Sequence, residues 1–208
     1  MKERPLSDLV FERISLYYRC VDSIIQNENR EYIDSKELSR ILKLDSSLIR
    51  RDLSLIGKIG KRGLGYSLGI LRDNIREFLA KNRTWNVAII GMGNLGHAIL
   101  RYMIQSKTNY RVSRLYDNDP AKIGTIVENR AVENFSSFDV SNNIELGIIT
   151  VPASVAQNVA GTLIEHKVKG IMNFAPVRLN IPTDIYYREI DVIRELDILS
   201  GMSTYYSL

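Results

Sequence analysis

Over FERISLYYRCVDSIIQ the side chains Ile14, Tyr17, Tyr18, Val21, Ile24 and Ile25 recur three and four residues apart, which lays one apolar stripe along a helix. A second helix is predicted from Asp34-Ser35-Lys36-Glu37. There Asp34 caps the first turn, Glu37 reaches back to it, and Leu38, Ile41 and Leu42 give the buried face. Lys43-Leu44-Asp45 leaves room for a tight turn only, and Asp45 or Ser46 caps a third helix, SSLIRRDLSLIG. That is helix-turn-helix spacing. From Trp85 the pattern changes to short apolar runs separated by loops and helical stretches, the rhythm of a parallel α/β sheet. The expected strands are NVAII, RVSRLYD, IELGIIT, VKGIMNF and the Pro-bounded APVRLNIP, with the sheet used up near Ile190.

The third helix sorts by residue type. Ile49, Leu53 and Ile56 should face a small core, while Ser47, Arg50, Arg51 and Ser54 share another face. Two guanidiniums beside two hydroxyls can present bidentate donors to guanine edges and shorter donors to phosphates. The following GKIGKRGLGYS has too many glycines for a helix interior and carries Lys58, Lys61 and Arg62. It reads as a β-hairpin wing lying against a DNA backbone. Helix-turn-helix and basic wing together predict a winged-helix reader of double-stranded DNA over residues 1–84.

In the second segment NVAII ends in GMGNLG, and HAILRYMI continues with helical spacing. A lone GxGxxG is weak evidence, but here it sits between a buried strand and a helix, as a dinucleotide fingerprint requires. Gly91 serves the tight turn, Gly93 the close approach of a pyrophosphate, and Gly96 the packing of helix on strand. Met92, Asn94 and Leu95 complete the loop, whose helix N-terminus turns free N–H groups toward the phosphates. Asp117 closes the next strand 26 residues after Gly91, near the usual spacing of about 20 for an acid that binds the adenosine ribose. A carboxylate there repels a 2′-phosphate, so NADH and NAD+ are favoured over their phosphorylated forms. Residues 85–190 thus read as a Rossmann domain, a doubly wound, mostly parallel α/β sheet. Residues 191–208 form one amphipathic helix with Ile193, Leu196 and Leu199 on a single face.

Charge and composition narrow the classes. Of 208 residues 45% are hydrophobic, with no uninterrupted apolar stretch long enough for a bilayer, so a membrane protein is not expected. Charges interrupt the N-terminus where a signal peptide needs an apolar run, and the lone Cys20 offers neither an internal disulfide nor a cysteine metal site. Cytoplasmic location and no metal are the expectations, with Cys20 a small buried hydrophobe. Net charge is +4, and the excess lies before residue 85, where 17 Lys+Arg face 12 Asp+Glu. From Arg50 to Arg62 five cations face one acid, Asp52.

A dehydrogenase would need a proton donor or acceptor beside the nicotinamide. The two histidines, His97 and His166, read as surface residues, and no substrate domain follows the nucleotide domain. An NAD(P)-dependent dehydrogenase with an unrelated basic N-terminal domain stays open as an alternative. So does an architectural DNA-binding protein whose Rossmann-like domain only dimerises.

The segments IRRDLSLIGKIGKRGLGY, GMGNLGHAIL, YDNDPAKIG, TVPASVAQ and NFAPVRLNIP, in this order, resemble the Rex family of redox-sensing transcriptional repressors over essentially the whole chain. The resemblance implies a non-enzymatic repressor, a homodimer that binds an inverted-repeat operator when apo or holding NAD+. It implies that NADH closes this dimer and releases the DNA. It implies C-terminal helices swapped between subunits, and cofactor contacts from Thr150, Val151, Pro152 and Tyr102. It further implies a network of Arg19, Tyr102 and Asp191 that changes partners between the two states. Two departures stand out: Arg51 replaces the family's usual lysine, and Leu55-Ile56 replaces an aromatic. Arginine keeps the charge but changes donor geometry.

Overall fold

The structure is a computed structural model that describes residues 6–106 and 108–206. The chain divides into two compact units, residues 1–83 and 84–208.

The first unit comprises α1 (Asp8–Asn27), β1 (Tyr32–Ile33), α2 (Ser35–Leu42), α3 (Ser46–Leu55), β2 (Gly60–Lys61), β3 (Gly65–Ser67) and α4 (Leu68–Phe78). Its core gathers Ile14, Tyr17 and Val21 of α1 with Leu38, Leu53 and Leu71 from the other helices. Asp34 caps α2 by accepting bonds from the N–H groups of Lys36 and Glu37, both at 2.8 Å. The expected reach of Glu37 back to the cap is replaced by a bidentate pair with Arg30 at 2.7 Å. A guanidinium fork satisfies both carboxylate oxygens, which one backbone N–H cannot. Ile41, placed on the buried face by periodicity, is half exposed at 50%, because α2 ends one residue later and offers only Leu38 a fully buried position. Lys43 turns the chain in the left-handed region (φ 53°), and Asp45 rather than Ser46 then caps α3.

Strands β2 and β3 form the wing, and β3 also pairs antiparallel with β1. Gly65 (φ +87°) is required there, since a Cβ would stand 2.4 Å from the carbonyl oxygen of Ile33. The tip, Arg62-Gly63-Leu64, is closed by the Leu64 N–H donating to the Lys61 carbonyl at 3.1 Å.

The second unit contains β4 (Trp85–Ile90), α5 (Asn94–Gln105), β5 (Tyr110–Asp117), β6 (Ile126–Val127), β7 (Arg130–Asn134), β8 (Leu146–Ile149), α6 (Ala153–Glu165), β9 (Gly170–Asn173), β10 (Tyr186–Glu189) and α7 (Val192–Tyr205). The sheet runs β10-β9-β8-β4-β5-β7-β6, parallel except for the β6–β7 hairpin at one edge. Without β6, the order is the 3-2-1-4-5-6 of a doubly wound dinucleotide fold. The direction of winding reverses between β4 and β8, which opens a crevice at their carboxyl ends.

Two features depart from the periodicity. The stretch 175–182 holds no strand; Pro176 and Pro182 supply no ladder N–H. The buried Asn173 amide instead donates to the carbonyls of Ala175 and Val177 at 3.1 and 2.9 Å and holds this segment as a loop. The sixth parallel strand is β10, whose Tyr186–Glu189 aligns with Gly170–Asn173.

Candidate nucleotide crevice and DNA-binding face

At the crevice, Gly91 leaves β4 with φ +102°, and a Cβ would come within 2.8 Å of the Thr150 carbonyl group. The Thr150 hydroxyl donates to the Gly91 carbonyl at 2.8 Å, which ties this loop to the end of β8. Gly96 is still more confined, because its Cβ would stand 2.2 Å from the Gly91 carbonyl oxygen. Gly93 is the opposite case. It precedes α5, no side chain caps that helix, and a Cβ would meet nothing within 4 Å. The loop is therefore tight at Gly91 and Gly96 and open at Gly93, the arrangement a pyrophosphate needs above a helix N-terminus.

Asp117 ends β5 with its side chain only 11% exposed. It accepts bonds from the N–H groups of Met92 (2.8 Å) and Asp119 (2.9 Å) and pairs with Lys122 at 3.0 Å. Burial pushes its carboxyl up, but the Asp119 N–H, Lys122 and the Met92 N–H outweigh this and hold it below the usual carboxylate range. A cavity of about 400 Å³ opens here, bounded by Gly91, Asp117, Phe135, Val151 and Pro152. The polar side chains of Asn118, Asn158 and Thr162 also reach it.

The structure thus gathers Gly91, Asp117, Val151 and Pro152 around one cavity, with Thr150 and Gly96 packed behind the loop. Met92 is 1% exposed, and its side chain belongs to the core, so it acts through its N–H on Asp117. Asn94 and Leu95 are exposed in the first turn of α5, and Tyr102, further along that helix, is 68% exposed. Sequence reasoning misses Phe135, Asn158 and Thr162, because a Phe after a short strand and polar residues on an ordinary helix face carry no motif. The histidines are half-buried rather than surface groups. His97 Nδ1 lies 2.9 Å from the Gly93 carbonyl, and His166 Nδ1 lies 2.8 Å from that of Thr162.

In the first unit Ser47, Arg50, Arg51 and Ser54 all stand exposed on α3. Both hydroxyl donors are turned to the chain itself: Ser47 donates to the Asp45 carboxylate and Ser54 to the Arg51 carbonyl. Arg50 donates to the hydroxyls of Ser35 and Ser46, at 3.1 and 3.4 Å. Lys58, Lys61 and Arg62 are exposed on and beside the wing. The acid among these cations points the other way. Asp52 is 1% exposed, with Arg13 donating at 2.6 and 2.9 Å and the Tyr17 hydroxyl at 2.8 Å. Burial pushes its carboxyl up, yet the Arg13 and Tyr17 bonds bring it below the usual range. The outer face of α3 is left cationic.

Arg19 is exposed on α1. Asp191 caps α7 by accepting bonds from the N–H groups of Ile193 (3.0 Å) and Arg194 (3.1 Å). Along α7, Ile193, Leu196 and Leu199 are 53–66% exposed. Among the described residues there is no group of three or more His, Cys, Asp or Glu side chains that could hold a metal, and no helix is long and apolar enough to cross a membrane.

Residues 6–54 match the family described as putative DNA-binding protein N-terminus, and residues 82–177 match the CoA binding domain family. The redox-sensing transcriptional repressor Rex of Listeria welshimeri is 37% identical over 191 residues, covering 90% of this chain and 88% of that protein. Its counterpart in Bacillus cereus is 37% identical over 201 residues, 96% of each chain. The chain belongs to the Rex family of redox-sensing transcriptional repressors. Two solved structures of RSP, a Rex-family repressor, are similar over 99% of the chain. The complex with β-NAD+ and operator DNA has 29% identity and a TM-score of 0.92 over 95% of its own length. The complex with β-NADH has 28% identity and a TM-score of 0.87 over 97%. Rex relatives are named as repressors, not as enzymes, so the Rossmann crevice belongs to a regulator.

Proposed function

We propose that this chain is a transcriptional repressor that senses the NADH/NAD+ ratio and binds double-stranded operator DNA as a homodimer in the cytoplasm. The observation that carries the reading is the pairing, in one Rex-family chain, of a dinucleotide loop open at Gly93 with an acid-free cationic helix face and a basic wing. In this reading residues 1–84 bind DNA, 85–190 bind NAD(H), and 191–208 pack on the partner. Ser47, Arg50, Arg51, Ser54, Lys58, Lys61 and Arg62 meet the duplex. Gly91, Gly93 and Gly96 shape the pyrophosphate cradle, Asn94 and Leu95 offer backbone N–H groups, and Asp117 takes the ribose. Thr150, Val151, Pro152 and Tyr102 complete the cofactor contacts. The exposed apolar face of α7 is a surface for a second copy of the chain, and the helix is swapped into that copy.

Two recognition helices reach successive major grooves of an inverted repeat about one helical turn apart, so a change in dimer angle misaligns at least one of them. NADH binds the closed dimer better than the DNA-bound form. Linkage then requires operator DNA to weaken NADH binding by the same factor. Arg19, Tyr102 and Asp191 exchange partners between the two forms. A neutral reduced nicotinamide enters an apolar pocket at less desolvation cost than the oxidised ring cation, which gives the preference for NADH a physical basis.

The test is fluorescence anisotropy on an inverted-repeat duplex at fixed salt, titrated separately with NADH and NAD+, because phosphate contacts make affinity fall steeply with ionic strength. Release by NADH at concentrations where NAD+ leaves the complex intact is the expected result. Tight binding that ignores both nucleotides overturns the sensor reading and leaves a DNA-binding protein whose Rossmann domain serves dimerisation. Substrate turnover by a chain lacking the residues before Trp85 marks a dehydrogenase.

A further inference from the structure

Asp52 lies on the same helix as the DNA-facing Arg51 but on its inner side, 1% exposed, and its partners come from α1, 35 and 39 residues earlier. The other fully buried side chains of α3 are Ile49 and Leu53. Apolar burial is non-directional, so Ile49 and Leu53, with the partly buried Ile56, set which side of α3 faces the core but hold its exact rotation less sharply than a directional bond does. A carboxylate gripped by both arms of the Arg13 fork and by the Tyr17 hydroxyl does fix it, because bidentate charge-assisted bonds weaken sharply when their angles change. Residues on a helix are locked together, so the rotation set at Asp52 also sets the direction in which Arg50 and Arg51 leave the surface.

We propose that Arg13, Tyr17 and Asp52 are positioning residues for DNA reading: they set the rotation of α3 and so the discrimination between operator and other DNA, without touching either. The proposal rests on α3 being the helix that enters the major groove. Base edges demand aligned donors, whereas phosphates accept a cation from many directions. Loss of the setting therefore affects specific binding and spares non-specific binding.

The experiment uses the full chain, an operator duplex selected from a random-sequence library by the unaltered protein, and a scrambled duplex of the same composition. Its readout is the ratio of the two affinities at fixed salt. Arg13→Lys keeps a cation beside Asp52 but removes the fork. The triple variant Arg13→Met/Tyr17→Phe/Asp52→Leu removes every polar partner at once, so no buried charge is left alone; such replacements commonly preserve folding. In both variants the ratio is expected to fall by roughly tenfold or more, with scrambled-duplex affinity within about twofold of the unaltered protein's. A ratio equal to the unaltered protein's in either variant, with the fold intact by circular dichroism, overturns the proposal and reduces the cluster to a structural tie. Failure of the unaltered protein to select any operator overturns the DNA-reading function itself, and the positioning role with it.

Discussion

The carboxylate of Asp117 accepts a hydrogen bond from the Met92 N–H at 2.8 Å, so the end of β5 is fastened to the glycine loop that follows β4. One group thereby shapes the glycine loop and lines the cavity beside it, where the proposed function places a ribose hydroxyl. Lys122, at 3.0 Å, pairs with the same carboxylate and lies 3.8 Å from that of Asp119. Asp117→Ala removes the acceptor and leaves Lys122 with Asp119 alone, which lowers the negative charge beside the proposed ribose site. NADH affinity is expected to fall by about 1.5–3 kcal/mol, the range for hydrogen bonds to charged groups. The preference for NADH over NADPH is expected to shrink as well. Both are read from nucleotide fluorescence titrations, and unchanged affinities for the two would leave Asp117 a purely structural tie.

Gly93 and Gly96 are separated by this structure into two kinds of glycine. Gly96→Ala drives a Cβ onto the Gly91 carbonyl at 2.2 Å, a backbone clash expected to cost about 1–3 kcal/mol of stability or more. Gly93→Ala meets open space at an ordinary φ of −87°, so the melting temperature should stay put while NADH binding weakens. Differential scanning fluorimetry with and without NADH separates the two. Equal NADH stabilisation of Gly93→Ala and the unaltered protein would show that no pyrophosphate approaches there.

Arg51 has no ion-pair partner among the described residues, and the hydroxyl of Ser54 is already spent on the Arg51 carbonyl. Arg51→Ala should therefore cost about 1–3 kcal/mol of operator affinity if its guanidinium grips a guanine edge. Ser54→Ala should cost less. Anisotropy titrations at one salt concentration check the order, and equal losses would contradict the donor assignment.

Acid stability of the first unit follows from four depressed carboxyls, those of Asp34, Glu37, Asp45 and Asp52; at Asp45 the Ser47 hydroxyl and the Leu48 N–H do the lowering. Hydrogen bonds from the Glu37 and Lys36 N–H groups lower Asp34, and the Arg30 fork lowers Glu37. In Asp52 burial is outweighed by Arg13 and Tyr17. A carboxyl depressed in the folded state contributes stability that is complete above its unfolded pKa, about 3.9 for Asp and 4.3 for Glu, and is lost as pH falls through the folded value. Melting temperature should hold steady down to about pH 5 and then drop. In Asp52→Asn the drop should be shallower, since that group no longer titrates. Circular dichroism melts between pH 7 and pH 2 give both slopes.

On α7 Ile193, Leu196 and Leu199 stand exposed, and in the proposed dimer they face the partner subunit. Leu196→Glu with Leu199→Glu places two charges on that face and should shift the protein from dimer to monomer in light scattering. Operator affinity should fall with it, because each half-site contact then acts alone. A dimer that persists would move the interface elsewhere.

Much of the site was legible because it is local. The glycines of GMGNLG are spaced along one turn and Asp117 ends an apolar run, so the placement of each follows from neighbours within a few residues. The cavity-lining Phe135, Asn158 and Thr162 were not legible, since they share a cavity with Asp117 only after strands and helices distant in sequence have been laid side by side. Glu37 shows the same limit at short range: its spacing fitted a capping box, but Arg30 offered a fork at 2.7 Å and took it.

What the sequence by itself determined is the kind and order of most elements. Helical and strand periodicity, the caps at Asp34 and Asp45, the winged motif and the glycine fingerprint all depend on contacts between residues close along the chain. Only the tertiary structure decided that Asp52 turns inward to Arg13, that β10 rather than the segment 175–182 completes the parallel sheet, and that β6 and β7 close its far edge. Those outcomes rest on pairing between distant segments, where many partners satisfy the same local pattern and packing selects one.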